Sequence, residues 1–329
     1  MQRKLLLKMG LLGIVLIFTV VLGGCARDEE KPLEEVSYRL KWLFNISVVG
    51  DLYAYDSGLF AKNGLNVTVK PGGPEKDAIK ELELGHAQFG VASADQVIRA
   101  VSKGAPIVVI AQLFQVNPLH WIYRPDKTPL KTPQDLKGKT IGITHGGNDE
   151  TIMRALLAKY DIKENEVNLF SVRYDYTPFY QGKVDLWPLY RNAQAPIIGA
   201  KLQKAGERFD LMDPSKMGIR FVANSVVTTR KMFEERPETV KNFTRALVQG
   251  WREILKPANA EAAIDIVLKY NKETPEEIVR QHLMMPTPDF EFGRIDPAAW
   301  RQTEEIMLSQ KLIALPVYVE KLLKPIGEK

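Results

Sequence analysis

The chain has 329 residues, 45% of them hydrophobic, and carries 45 Lys and Arg against 40 Asp and Glu, a formal net charge of +5. Three of those cations, Arg3, Lys4 and Lys8, stand at the extreme N-terminus, and without them the balance is 42 to 40, a charge of +2. Such a near-neutral chain argues against a nucleic-acid partner, which needs basic residues gathered on one face, and its length beyond residue 36 suits two domains of ordinary size.

Residues 9–22 form an apolar run free of charge behind that basic flank. The run is shorter than the roughly 20 residues a spanning helix needs, and the arrangement is that of a secretory signal, assigned here to residues 1–24. Leu22-Gly23-Gly24-Cys25 follows, and Cys25 is the only cysteine. This phrase resembles the bacterial lipobox, which implies cleavage before Cys25, a lipid on its thiol, and a protein tethered at the periplasmic or extracytoplasmic face of a membrane. A chain whose one thiol is acylated forms no disulfide. Residues 25–36, charged and broken by Pro32, read as a mobile tether.

From residue 36 onward short β-rich runs alternate with amphipathic windows, the rhythm of parallel sheets built from βα units. Residues 36–42 read as a strand. Leu52, Tyr55 and Leu59 then recur at helical spacing until Asn63-Gly64. Val67 and Val69 mark a second strand, Ile79 and Leu82 a helix, Phe89 and Val91 a third strand, and a helix from Ala94 closes at Lys103-Gly104. The continuous apolar run 107–113 suits a strand buried on both faces. The rhythm restarts at Thr140-Ile141-Gly142-Ile143, followed by a helix carrying Ile152, Met153 and Leu156 and a strand near residues 167–170. Pro125, Pro129 and Pro133 separate the two modules, and the extended stretch 221–227 carries the chain back. Beyond it the sequence is almost wholly helical, with Val240, Phe243, Leu247 and Trp251 on one stripe and Pro237 near a helix start. Residues 37–124 plus 222–329 are therefore expected to form one lobe and residues 125–221 the other, joined by two crossings that make a hinge.

In open α/β sheets a ligand sits beyond the carboxyl ends of strands, where helix N-termini expose unpaired N–H groups. Three such ends are Phe44-Asn45, Ser93-Ala94-Asp95, and the stretch from Thr144 through His145, Gly146 and Gly147 to Asn148. Each offers small or hydrogen-bonding residues, and the glycine pair allows close backbone approach. Ser93 and Asn148 read equally as helix caps. Trp42, Phe44, Tyr53, Trp187 and Tyr190 lie at or near strand ends, where two rings sandwich a flat heterocycle with about 1 kcal/mol gained per pair; the other reading of these aromatics is core.

The order of several phrases carries a resemblance. Trp42-Leu43-Phe44-Asn45, the run Ser57-Gly58-Leu59-Phe60-Ala61-Lys62-Asn63-Gly64-Leu65, Gly85-His86-Ala87-Gln88-Phe89-Gly90-Val91, Leu136-Lys137-Gly138-Lys139-Thr140-Ile141-Gly142, Gly182-Lys183-Val184-Asp185 and Arg236-Pro237-Glu238 together resemble the solute-binding proteins for thiamine pyrimidine precursors, aliphatic sulfonates, taurine and nitrate. The resemblance implies a type II periplasmic binding protein fold, two α/β lobes, each a mainly parallel sheet flanked by helices. It also implies a small-molecule ligand held in the cleft and handed to the transmembrane subunits of an ABC permease by a monomer that catalyses nothing and needs no cofactor. A sensor in place of the permease would leave the same sequence. Residues 185–194 resemble the stretch where pyrimidine-binding members place Tyr-x-Asn-x-Glu; here Tyr190 and Asn192 stand in place, but Gln194 replaces the glutamate. An amide both donates and accepts where a carboxylate only accepts, which weakens a pyrimidine assignment. Trp42, Asn45, Ser93, Gly146, Gly147, Trp187 and Asn192 are the residues expected to line the cleft. The cargo is expected to be a heteroaromatic of thiamine-precursor type, with a sulfonate-like oxyanion as the alternative because helix ends suit anions.

Catalysis is the other class. A fungal relative of this group makes the thiamine pyrimidine through an iron site with a cysteine-rich motif, and one cysteine does not supply it. His86, His120, His145 and His282 are scattered without metal-ligand spacing, so no metal site is expected.

Overall fold

The computed structural model describes residues 32–73, 75–115, 117–283 and 291–326. The signal segment, Cys25 and most of the expected tether lie outside the described residues. Among the described residues no helix is long and apolar enough to cross a membrane.

Among the described residues, ten strands form two five-stranded sheets. The first holds β1 (Glu34–Arg39), β2 (Leu65–Lys70), β3 (Phe89–Ala92), β4 (Ile107–Gln112) and β10 (Ser225–Thr229), in the order β2-β1-β3-β10-β4. The second holds β5 (Leu119–Tyr123), β6 (Thr140–Ile143), β7 (Asn168–Ser171), β8 (Leu186–Tyr190) and β9 (Asp210–Met212), in the order β7-β6-β8-β5-β9. In each sheet the strand next to the last runs antiparallel to its neighbours, β10 in one and β5 in the other, while β1 and β6 pair in parallel on both sides. Those two antiparallel strands are the first ones laid down after each crossing between lobes, so the crossings build the same layout twice.

The reasons are local. All six residues of β4 are buried, as a strand covered on both faces must be. Gly58, at φ +70°, breaks the expected single helix into Val49–Asp56 and Leu59–Lys62. Pro237 opens the helix Pro237–Ile254, whose buried face includes Val240, Phe243, Leu247 and Trp251. Phe243 meets the ring of Phe60, in the helix Leu59–Lys62, at 5.1 Å and that of Tyr38, in β1, at 5.0 Å, the second contact tying the long helix to the first sheet. It crosses the helix Val49–Asp56 closely because a Cβ at Gly250 would lie 2.6 Å from that of Ala54. The C-terminal segment covers the edge of β4, with Val109 N–H donating to Leu322 O at 2.9 Å and Lys324 N–H to Val109 O at 2.8 Å.

Two expected boundaries move. The first strand begins at Glu34, not at 36, because the Glu34 carboxylate accepts from Thr239 Oγ1 at 2.8 Å and pairs with Arg236, which draws tether residues into the sheet. It also ends at Arg39, leaving residues 40–45 free to bend. The apolar segment Leu119–Tyr123 belongs to the second sheet, so the first crossing falls upstream of it rather than after residue 124. Proline position misleads there: Pro133 opens a 3-10 turn inside the second lobe. The two crossings touch, since the N–H groups of Leu113 and Phe114 both donate to Asn224 O, at 2.9 and 3.3 Å.

Candidate functional site

Between the two sheets lies a cavity of about 210 Å³ bordered by both lobes. That exceeds the roughly 150 Å³ in which an apolar cavity takes up benzene.

The first lobe contributes the stretch released by the early end of β1. Gly72 N–H donates to Trp42 O at 2.9 Å and holds that stretch against the end of β2. Trp42 is half-buried, and its ring meets Tyr174 of the other lobe at 5.6 Å. Asn45 turns its Oδ1 back to accept from Ser47 N–H at 2.8 Å and from Ser47 Oγ at 2.6 Å, capping the turn Ile46–Val48. Lys41 reaches across the gap, its Nζ donating to the Tyr190 hydroxyl at 3.1 Å, and that hydroxyl donates onward to Asn224 Oδ1 at 3.2 Å. Gln96, in the helix after β3, accepts from Ser93 N–H at 3.2 Å and from Ser93 Oγ at 2.9 Å.

In the second lobe β6 ends in a tight turn whose Gly146 has φ +75°, after which the helix Asn148–Lys159 begins. The turn before the helix is held by the helix's own acids. Asp149 Oδ2 accepts from Thr144 N–H at 2.5 Å and Glu150 Oε2 from Gly146 N–H at 2.8 Å. Of the amides expected to be open to an anionic ligand at this end, those of Thr144 and Gly146 are therefore already engaged. Burial pushes the Asp149 carboxyl up to about 6, against the pull of Thr144 and of the Lys41 charge. From β8 comes Trp187, 1% exposed, with Tyr176 at 5.3 Å and Phe179 at 6.3 Å. Gln194 Oε1 accepts from Tyr190 N–H at 2.9 Å. Behind the cavity, Arg99 Nη2 donates to Thr151 Oγ1 at 2.6 Å, a further tie between the lobes.

Of the residues singled out in the sequence, Trp42, Asn45, Thr144, His145, Gly146, Gly147, Asn148, Trp187, Tyr190 and Gln194 border the cavity. Five do not. Phe44 meets Tyr270 edge-on at 5.2 Å, and Tyr53 packs on the first-lobe core. Ser93 is wholly buried against Gln96, so its capping reading accounts for it. Asp95 is also wholly buried, and Asn192 buries its Oδ1; neither is on the wall. Lys41, Gln96, Asp149, Tyr176 and Asn224 border the cavity without having been singled out. Lys41 and Asp149 adjoin residues that were, so proximity in sequence was a usable signal. Asn224 sits in an apolar extended stretch that carries no such sign. His145 is exposed at the rim, 3.4 Å from Glu150, and among the described residues no three His, Cys, Asp or Glu side chains gather as a metal site requires.

Residues 45–260 match the family described as NMT1/THI5 like. The riboflavin-binding protein RibY of Chloroflexus aurantiacus is 25% identical over 320 residues, covering 90% of this chain and 86% of that one. The formylaminopyrimidine-binding protein of Halalkalibacterium halodurans is 23% identical over 321 residues, covering 93% and 95%. Among solved structures, the alkanesulfonate-binding protein SsuA from Xanthomonas axonopodis pv. citri, bound to MOPS, superposes with a TM-score of 0.70 at 18% identity, covering 90% of this chain and 99% of that one.

Proposed function

The chain belongs to the NMT1/THI5-like family, and from that premise we propose that it is an extracytoplasmic solute-binding protein that captures a small flat heteroaromatic molecule between its lobes and releases it unchanged. The observation that carries this reading is the lining of the cavity, to which one lobe contributes Trp42 and the other Tyr176, Trp187 and Tyr190. A flat ring entering there gains burial and stacking from both lobes, with side-chain amides left to orient it. Binding-protein relatives for riboflavin and a formylaminopyrimidine support the reading. The wall binds and orients; His145 on it stands at the solvent rim beside Glu150.

In this proposal the basic flank and the phrase ending in Cys25 export and tether the protein, and the ligand-bound form is presented to an ABC permease. A ligand that touches both lobes draws them together about the paired crossings at Leu113, Phe114 and Asn224.

A small sulfonate is the second reading, favoured by Lys41, Lys76 and Arg173 on the cavity border. Against it stand the Thr144 and Gly146 amides, already taken by Asp149 and Glu150.

Thermal unfolding with a panel of flat heteroaromatics and a panel of alkanesulfonates separates the two. A ligand at 100 times its Kd stabilises the folded chain by about 2.7 kcal/mol, so the melting temperature should rise with the first panel and not the second. Trp42→Ala should weaken the ring-dependent shift, lowering affinity roughly tenfold. A shift with sulfonates alone, or one indifferent to Trp42, would sink the reading.

A further inference from the structure

Three amides around the cavity are not free to face either way. Asn45 accepts through Oδ1 from Ser47 N–H at 2.8 Å, Gln96 through Oε1 from Ser93 N–H at 3.2 Å, and Gln194 through Oε1 from Tyr190 N–H at 2.9 Å. A backbone N–H only donates, so in each case it must meet the amide oxygen, and the NH₂ is the group left over. Asn148 adds a fourth donor: its Nδ2 is buried with no hydrogen-bond partner among the described residues. A buried donor without a partner is costly and rare in a native fold, and this one borders the cavity. Lys41 supplies donors only.

Some of the lining acceptors are already engaged or covered. Asn224 Oδ1 takes the Tyr190 hydroxyl at 3.2 Å. Asp149 gives Oδ2 to Thr144 N–H at 2.5 Å, and its Oδ1 is packed over Gly147, 2.3 Å from where a Cβ would sit. Asp77, at the rim, caps its own helix through Oδ1.

We propose that the cleft selects oxo-substituted flat rings, whose edges carry more hydrogen-bond acceptors than donors, over amino-substituted rings of the same shape. The inference rests on the flat-ring reading above and gives it a substrate class. An oxo group meets the leftover NH₂ of Asn45, Gln96, Asn148 or Gln194, whereas an amino group placed there sets donor against donor. Gln194 is central, because a carboxylate at that position would present an acceptor instead.

The test is calorimetric titration of the purified protein with two matched pairs: uracil against 2,4-diaminopyrimidine and, one ring larger, 2,4-dioxopteridine against 2,4-diaminopteridine. In at least one pair the oxo member should bind more tightly by roughly ten- to a hundredfold, the range expected when a buried polar group is left unpaired. The variant Gln194→Glu keeps an oxygen for Tyr190 N–H and changes only the outward group, so it should fold normally and shift the ratio toward the diamino member about tenfold or more. Equal or tighter binding of the diamino members by the unaltered chain would overturn the proposal while leaving the flat-ring reading in place. So would a ratio that Gln194→Glu does not move. Failure of both pairs, with alkanesulfonates still binding, would overturn the flat-ring reading itself and this proposal with it.

Discussion

The two sides of the cleft are built on sheets of the same strand order, yet they carry their functional groups differently. On the second lobe the wall grows out of the core: Trp187 is 1% exposed and packs on Tyr176 and Phe179, so one side chain both holds the lobe together and faces the cavity. On the first lobe Trp42 hangs on a stretch beyond the end of β1, half-buried, with a ring partner across the gap in Tyr174. Each lobe also places a buried acid in the first turn of the helix that follows its central parallel strand. Asp51 turns into the core, accepting from Tyr38 Oη at 2.5 Å, while Asp149 turns to the cavity and holds Thr144. The acid's partner, not the backbone layout, decides which serves the core and which the site.

The largest effect should come from breaking the ring asymmetry. Trp187→Ala empties a packed position and should cost about 3–5 kcal/mol of stability, whereas Trp42→Ala should cost under about 1 kcal/mol while still weakening the ligand. Chemical denaturation of both variants without ligand checks this. Equal losses would mean that the two walls are not differently built.

Much of this architecture could be read in the sequence, and the exceptions have physical reasons. The strand at 140–143 and the buried stripe on Pro237–Ile254 follow from apolar spacing alone, because burial acts on residues close together in the chain. The start of β1 at Glu34 was missed because charge at 34 and 35 reads as solvated, and only contact with Thr239 and Arg236, some 200 residues away, makes it part of a sheet. The site divides the same way. Glycines after β6 announce a turn, but nothing near Asn224 says that the Tyr190 hydroxyl will reach it, and nothing in Gln194 tells which of its two amide atoms faces the ligand. Those facts belong to segments that meet only after folding.

The two buried acids give a pH signature of intermediate size. Burial pushes Asp51 up to about 7, the Tyr38 hydroxyl pulling the other way, and pushes Asp149 up to about 6, both above the ordinary carboxylate value of 3.8. The folded chain therefore binds these protons more tightly than the unfolded one. Their contribution to stability is greatest below the ordinary carboxylate range and is lost as the pH climbs, through about 7 for Asp51 and about 6 for Asp149. Asp51→Asn, which keeps an acceptor for Tyr38, should remove a loss on the order of 2 kcal/mol between pH 5 and pH 8, and Asp149→Asn one on the order of 1 kcal/mol. Melting curves of the two variants at both pH values measure this. A larger pH effect at 149 than at 51 would reverse the assignment of core acid and site acid.

The smallest expected effect probes the engaged turn on the second lobe. Glu150, in the first turn of a 12-residue helix, accepts from Gly146 N–H at 2.8 Å and from Arg154 Nη2 at 3.0 Å. Glu150→Ala removes that negative charge, frees the Gly146 amide and leaves Arg154 as a nearby cation. The positive end of a helix dipole and one open N–H contribute about 0.3–1 kcal/mol to holding an anion at such a site, so affinity for an alkanesulfonate should rise roughly two- to fivefold, with little change for a neutral flat ring. Titration of the variant with both ligand types decides it. No gain for the sulfonate would mean that the Gly146 amide does not reach the ligand, and the contrast between an engaged turn in one lobe and an open stretch in the other would carry no weight for binding.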